Sequence, residues 1–376
     1  MGHPCGDSIR PLSRPHAAPK QIGRYEIGAK IGGGGMANVY VGRAKAADGS
    51  DEIVAIKVIR DEYGKDPRFL RMFSDEAKIL ERISHPNVIR TFEYGIERDH
   101  RYIVMELLAG RTLADVWDTL VAQGASLSLW LGAWICARVA EGLHAAHELT
   151  DDAGVPLSIV HRDVNPSNVF LTYAGEVKLI DFGLAKARIR RDRTSRGMVK
   201  GTLAYLSPEQ IELRPVDRRA DIYALGTTLW EMGTMRRLFK RDDDFETLEA
   251  IRISDVPDPR TIVPGYPDAL AAIVARTLRA NPDERFATAG ELRAHLDAFV
   301  GRNRAWMSRE LGELLATLFP NERAEHARWH DEAVSVSAID TVPPPPNRVP
   351  VASSRLLDPD VEIGEAELSD VEIVPE

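Results

Sequence analysis

Hydrophobic and polar positions change period twice along this chain. Residues 25–31, 39–44 and 53–59 are runs rich in β-branched side chains, divided by glycine-rich or polar turns, and they predict a three-stranded antiparallel meander. From 67 to 83 the apolar positions Phe69, Phe73, Ala77 and Leu80 recur at helical spacing, which predicts one helix. Two further β-type runs, 88–94 and 102–107, complete a small lobe of five strands and one helix. Beyond Ala109-Gly110 the pattern turns helical, with helices predicted over 113–122, 129–149, 217–232, 245–253, 268–278 and 289–299. One more helix is predicted over 308–318, stopped by Pro320. A small β-rich lobe followed by a larger, mostly α lobe is an α+β architecture.

The two ends read differently. Residues 1–24 hold Pro4, Pro11, Pro15 and Pro19 with few large apolar side chains, and are expected to be disordered. Residues 321–376 contain a polyproline run at 343–346 and an acidic stretch without aromatics at 358–376, again expected to be disordered. Within that stretch Asp-Val-Glu-Ile occurs at 360–363 and again at 370–373. Such acidic and apolar alternation reads either as a solubilising tail or as a peptide that docks on a partner by adding a strand.

Composition narrows the function classes. A hydrophobic fraction of 44% beside 28% charged residues is that of a globular chain with a large core. The formal net charge of −9 argues against nucleic acid as the main partner, because phosphate binding wants a basic face. Cys5 and Cys136 lie far apart in unlike contexts, so a disulfide framework is not expected and a reducing, cytoplasmic location is. The apolar stretch 127–147 is interrupted by Arg138 and Glu141, and reads as a buried core helix rather than a membrane span.

The chemistry concentrates between residues 160 and 183. This stretch carries an acid at Asp163, an amide at Asn168 and a second acid at Asp181, separated by the apolar runs 169–171 and 177–180 around a Tyr-Ala-Gly turn. Read physically, it is a loop, a β-hairpin and a second loop that deliver three oxygen-bearing side chains at strand ends. Such an array suits Mg²⁺ and a triphosphate.

His161-Arg162-Asp163 with Asn168, followed by Asp181-Phe182-Gly183, resembles the catalytic and metal-binding signatures of the eukaryotic-like serine/threonine protein kinases of bacteria. The resemblance implies the two-lobed protein-kinase fold over 25–300, with an N-lobe at 25–108, a C-lobe at 109–300 and a short helical extension at 301–320. It implies ATP as cofactor, with Mg²⁺ or, as the alternative, Mn²⁺ held by Asn168 and Asp181. Asp163 is then the carboxylate that orients or accepts the substrate hydroxyl proton.

The same resemblance places Ile31 and the glycine-rich loop Gly32, Gly33, Gly34 and Gly35 over the phosphates, where backbone N–H groups can approach closely. Ala37 stands where the family has its third glycine. Lys57, at the end of Val54-Ala55-Ile56-Lys57, is the lysine that holds the phosphates, paired with Glu76 of the following helix. Val39, Ala55 and Phe170 would enclose the adenine, beside Met105 and the hinge residues Glu106 and Leu108. Glu209 is expected to pair with Arg285, and Asp221 to brace the catalytic loop.

Residues 201–209, reading Gly-Thr-Leu-Ala-Tyr-Leu-Ser-Pro-Glu, resemble the substrate-binding end of serine/threonine kinases, which implies protein substrates with Ser or Thr acceptors. Two departures stand out: Asn165 replaces the family's lysine and Ser167 a glutamate found in kinases directed to basic substrates. Asn165 is expected to donate a hydrogen bond toward the γ-phosphate in the lysine's place. An ATP-binding pseudokinase scaffold acting through the tail is the alternative. Arg188, Arg190, Arg191, Arg193 and Arg196 surround Thr194 and Ser195, and autophosphorylation is expected at Thr194 or Ser195. The acidic tail is expected to visit this basic segment and damp activity.

Overall fold

In the computed structural model the described residues are 20–326 apart from 34–36, 47, 61–66, 99, 183–201 and 325, with the side chains of 67–69, 72, 76 and 202 also outside the description. The leader 1–19, the segment with Thr194 and Ser195, and the tail from 327 therefore lie outside the described residues.

The N-terminal lobe is one antiparallel sheet. Its strands are β1 (Gln21–Ile22), β2 (Tyr25–Gly33), β3 (Ala37–Lys45), β4 (Asp51–Ile59), β5 (Thr91–Glu97) and β6 (His100–Glu106), in the order β1-β2-β3-β4-β6-β5. Six strands are present rather than the five expected. The addition is the two-residue β1, too short to show alternation, which pairs with β2 through Gln21↔Glu26 and Ile22↔Tyr25.

Period-two alternation gives the sheet two unlike faces. Val54, Ile56 and Val58 of β4 point one way, into a cluster with Ile22, Tyr25, Tyr40, Tyr102 and Val104. Ala55, Lys57 and Ile59 point the other way. There Ile59 and Ile103 meet Phe73 and Ala77 of α1 (Pro67–Arg82), while Ala55 lines the cleft below the sheet.

The run expected as a strand over 88–94 divides in two. The strand proper begins at Thr91, and Val88 instead bridges to Leu179 in the second lobe. Asn87 O accepts the Leu179 N–H at 2.8 Å, Leu179 O accepts the Ile89 N–H at 2.9 Å, and Asn87 Nδ2 donates to Val177 O at 2.9 Å. The apolar residues 88–89 are thus paired across the lobes, which no local pattern distinguishes from pairing within one.

The second lobe begins at β7 (Gly110–Thr112), where a break was expected, and β7 joins β8 (Val169–Thr172) and β9 (Val177–Leu179) in a three-stranded sheet, order β7-β8-β9. Its helices are α2 (Leu113–Ala122), α3 (Leu129–His147), α4 (Pro208–Ile211), α5 (Arg219–Thr234), α6 (Asp244–Arg252), α7 (Asp268–Thr277), α8 (Ala289–Val300) and α9 (Arg304–Leu318). Helix α3 is buried on nearly every face and forms the axis of the lobe, packed on α5, α8 and β9. Among the described residues no helix is long and apolar enough to cross a membrane. The start of α2 follows from sequence chemistry: the Thr112 hydroxyl accepts the Asp115 N–H, and the Asp115 carboxylate accepts the Thr112 N–H, a capping box.

Helix α9 begins four residues earlier than the 308–318 expected. It buries Met307, Leu311 and Leu315 in the same apolar cluster as α3, α5 and α8. Its approach to the β8–β9 hairpin is close: Ser308 Oγ donates to Gly175 O at 2.9 Å, and Tyr173 Oη donates to the Phe319 carbonyl at 3.3 Å. Gly175 has a positive φ of 79°, and a Cβ there would overlap Ser308 O.

Two substitutions test whether the extension is part of the core. Leu311→Ala should cost about 2–5 kcal/mol in urea unfolding through the cavity it opens. Gly175→Ala should cost about 1–3 kcal/mol, because its Cβ would overlap the Ser308 carbonyl oxygen of α9 in addition to straining the left-handed backbone. Losses below about 0.5 kcal/mol, the usual surface effect, would mean that α9 contributes nothing to the fold's stability.

Candidate active site

The catalytic-loop residues are held from beneath by one buried carboxylate. Asp221, in the first turn of α5, accepts the backbone N–H groups of His161 and Arg162 at 2.8 Å each, and lies 2.8 Å from His147 Nε2 of α3. Burial alone would raise its carboxyl, but the hydrogen bond from His147 and the neighbouring His161 and Arg162 outweigh this and hold it below its ordinary 3.8. Arg162 has φ +66°, a left-handed conformation costly for a side chain of its size, and Asp221 holds the N–H of that residue. Burial pushes the His161 imidazole down, and its ring sits 4.4 Å from the Phe182 ring.

Asp163 follows, 4% exposed. Asn168, at the end of the 3₁₀ turn 166–168, donates from Nδ2 both to Asp163 Oδ2 and to the Asp163 carbonyl, each at 2.8 Å. The amide nitrogen is the end bonded to Asp163, so the amide oxygen is the end a cation could take. Asn165 caps the turn of its own loop: its Oδ1 accepts the Ser167 N–H at 2.9 Å and its Nδ2 donates one hydrogen to the Asp163 carbonyl at 2.8 Å. The amide carries two N–H groups, so the expected hydrogen bond toward a γ-phosphate is compatible with this contact.

Across the cleft, Lys57 of β4 donates from Nζ to Asp181 Oδ1 at 2.6 Å. Asp181 has φ +56°, a second strained backbone position in the site. Glu76, the expected partner of Lys57, lies on α1 with its side chain outside the described residues, as do Gly34 and Gly35. Gly32 and Gly33 end β2, opposite Val39 and Asn38.

Of the residues expected around the adenine, Val39 and Ala55 come together with Met105 and Leu108 in one apolar cluster. Ala55, Ile89 and Met105 are buried, with Ile31, Val39, Leu107, Leu108 and Ile180 packed against them. Cross-strand register places Ala55 opposite Val41 and Met105 on the sheet, next to Lys57 opposite Val39 and Ile103. Phe170 is not in this cluster. It lies half-buried on β8, opposite Thr112 and Lys178, in the other sheet. Sequence reasoning missed Ile89 and Ile180. Ile180 was visible as the last apolar position before Asp181, whereas Ile89 enters only through the pairing of 87–89 with β9.

Lys178 was also missed. It is 8% exposed, and its Nζ donates to both oxygens of Glu106, at 3.0 and 3.2 Å, while Glu106 Oε1 also accepts the Arg90 N–H at 2.8 Å. The residue that opens the connection between lobes is thereby tied to β9, the strand that leads to Asp181. Around the acceptor side, Arg285 makes a buried bidentate pair with Glu209, Nη1 to Oε1 at 2.7 Å and Nη2 to Oε2 at 2.8 Å, as expected. Gln210 Nε2 donates to the Arg162 carbonyl at 3.5 Å, linking this region to the catalytic loop.

A sheet lobe and a helical lobe with an apolar slot, a lysine and a strained acid-amide loop between them define a protein kinase domain. Residues 25–296 match the protein kinase domain family, and the chain belongs to that family. It is 37% identical over 314 residues to the "Tyrosine-protein kinase MasK" of Myxococcus xanthus, covering 83% of this chain and 48% of that protein. It is 34% identical over 277 residues to the "Serine/threonine-protein kinase PknL" of Mycobacterium tuberculosis, covering 74% of this chain and 66% of the relative. The "Serine/threonine-protein kinase PrkC" of Bacillus subtilis is 33% identical over 286 residues, 75% of this chain and 41% of PrkC. The chain thus spans between two-fifths and two-thirds of these relatives' lengths. The crystal structure of the Mycobacterium tuberculosis PknI kinase domain has the same fold, with a TM-score of 0.57 over 76% of this chain and 99% of that one, at 24% identity.

Two predictions concern this framework. Asp221→Asn should cost about 3–5 kcal/mol at pH 7, by removing one partner of a buried pair. Because the folded carboxyl is held below 3.8, its contribution is complete above that value and lost as pH falls through the lowered one, so the difference between the two proteins should narrow below pH 4. Urea unfolding across that range decides, and a constant gap would refute the assignment. Lys178→Met should weaken ATP binding about three- to tenfold, roughly 1 kcal/mol, by releasing Glu106. Unchanged affinity by titration would show that the pair does not set the hinge.

Proposed function

We propose that the chain is a protein-serine/threonine kinase that transfers the γ-phosphate of ATP to Ser or Thr hydroxyls of proteins. The observation that carries this reading is the buried Asp163–Asn168 pair, set on a loop braced by Asp221, across the cleft from Lys57 and Asp181. The relatives named serine/threonine kinases, and the segment 202–209, support Ser and Thr as acceptors. The relative named a tyrosine kinase is the specific observation that favours tyrosine as a second reading.

In this proposal the apolar slot of Ile31, Val39, Ala55, Met105 and Leu108 takes the adenine, and the backbone after Glu106 hydrogen-bonds it. Lys57 is the phosphate-binding cation, and Gly32, Gly33, Gly34 and Gly35 cover the phosphates. Asp163 orients the acceptor hydroxyl and takes its proton. The hard oxygen donors of Asn168 and Asp181 fit Mg²⁺ or Mn²⁺, which would supply neutralisation of phosphate charge. Phosphoryl transfer asks mainly for positioning and charge stabilisation, so a site of acids, an amide and a lysine suffices. Use of ATP supports a cytoplasmic location. The acidic and apolar repeat within 358–376 supports a docking role for the tail.

The test is transfer of label from ATP to casein and to the chain itself, followed by separation of phosphoserine, phosphothreonine and phosphotyrosine. Label on Ser and Thr is expected, lost about 10²- to 10⁴-fold in Asp163→Asn. Label on tyrosine alone would replace the acceptor assignment. A wild type that binds ATP yet transfers no faster than Asp163→Asn with either metal, with transfer restored by Asn165→Lys, would establish the pseudokinase reading.

A further inference from the structure

A second buried carboxylate lies beside the acceptor segment, and the mechanism above does not use it. Glu231, in the last turns of α5, is fully buried. Its Oε2 accepts the Tyr205 hydroxyl at 2.6 Å and Arg237 Nη1 at 2.9 Å, and its Oε1 accepts the Leu238 N–H at 3.1 Å. Arg237 Nη1 also donates to Tyr205 Oη at 2.8 Å. The loop that brings Arg237 and Leu238 back to Glu231 turns at Met235, which has φ +53° and donates its N–H to Glu231 O at 2.8 Å.

The guanidinium is itself held in place. Its carbon lies 3.7 Å over the Trp117 ring of α2, and Nη2 is 3.6 Å from Asp118. The charged and titratable groups around the Glu231 carboxyl are therefore Tyr205 from the 3₁₀ turn 202–205, Arg237 from the loop after α5, and Asp118 beyond it. Burial pushes the Glu231 carboxyl up, opposed by Arg237, and pushes the Tyr205 phenol well up. Tyr205 sits three residues after Thr202, four before Glu209 and five before Gln210, which reaches the Arg162 carbonyl. Its phenol is one buried anchor of that segment, and Glu209 on Arg285 is another.

We propose that Arg237 is a positioning residue for the protein substrate: its guanidinium neutralises the buried Glu231 carboxylate, so that Tyr205 and the segment 202–209 are held beside Asp163. This rests on the kinase reading above. The acid and the phenol are buried, and a bare carboxylate in that core is costly: at low pH protonation relieves it, and once the acid ionises the relief left is for the segment to lift and admit water. A neutral side chain in place of Glu231 removes the need for the cation.

The experiment uses the full chain as wild type, Arg237→Leu, Arg237→Lys and the double variant Arg237→Leu/Glu231→Gln. Initial rates with casein and with ATP varied separately are measured from pH 6 to 8, together with hydrogen exchange of the amides 202–210. Arg237→Leu should raise the casein KM about 10- to 100-fold while leaving the ATP KM within about twofold. Without Arg237 the acid ionises unpaired as pH rises, so the defect should be larger at pH 8 than at pH 6. Exchange at 202–210 should quicken in parallel. Arg237→Lys should recover part of the loss and the double variant most of it. Equal KM values, a defect independent of pH, or no recovery in the double variant would each overturn the proposal. If the wild type transfers no phosphate, the kinase reading fails, and the exchange rates alone then decide whether Arg237 holds the segment. If Arg237→Leu does not fold, a folded double variant supports the neutralising role, and a double variant that also fails to fold rejects it.

Discussion

The Asp221 carboxylate is the interaction on which the site depends. A buried acid survives only where its lone pairs are filled, and here they are filled by an imidazole and by two successive backbone N–H groups of the loop that carries Asp163. The arrangement couples helices α3 and α5 to a left-handed turn that the chain would not adopt unaided. Asp163 and Asn168 are placed to within hydrogen-bond tolerance because the backbone beneath them has no slack. The hydrogen bonds between Asp221 and the N–H groups of His161 and Arg162 offset both the desolvation of the acid and the strain at Arg162.

Around this anchor the two lobes are joined by more than the chain passing between them. The segment 87–89 borrows β9 as a pairing partner, and Gly142 of α3 lies so close to the Asn87 carbonyl that a Cβ would crowd it. Lys178 spans from β9 to Glu106 at the start of the hinge. Both contacts end on the strand leading to Asp181, so the acid facing Lys57 is positioned from the N-lobe side as well as from its own. These are short, buried, directional contacts, in contrast to exposed pairs such as Arg252–Glu249, which contribute little.

The second lobe uses its polar core sparingly and at its acceptor side. Glu209–Arg285 and Glu231–Arg237 each hold one end of the segment 202–209 with a charge-assisted bond in a water-poor setting, where removing one partner is far more costly than the pair's net worth. Elsewhere in the lobe, α9 closes the core over the β8–β9 hairpin, reached through Ser308 and Phe319, and the Arg111–Glu322 ion pair ties β7 to the residues that follow α9. The hairpin is thereby confined between the extension and the catalytic loop.

Alternation over β2, β3, β4 and β6, the helical periods of α2 and α3, and the spacing within 160–183 are local properties, so the α+β layout and the loop bearing Asp163 and Asn168 were legible in the chain alone. Family resemblance supplied the slot residues Val39, Ala55 and Met105, the Glu209–Arg285 pair and the brace at Asp221. Packing chose the partners that no local pattern names: residues 87–89 pairing with β9, Lys178 reaching Glu106, Arg237 turning back to Glu231 beside Tyr205, and α9 entering the core. Asn165 shows the same limit from the other side, since residue type named a donor while the turn's own backbone N–H and carbonyl groups determined what its side chain caps. A sequence period states which face is apolar. It does not state which of several apolar or charged faces will meet, because that depends on register and helix crossing, which are settled only when the whole core is packed.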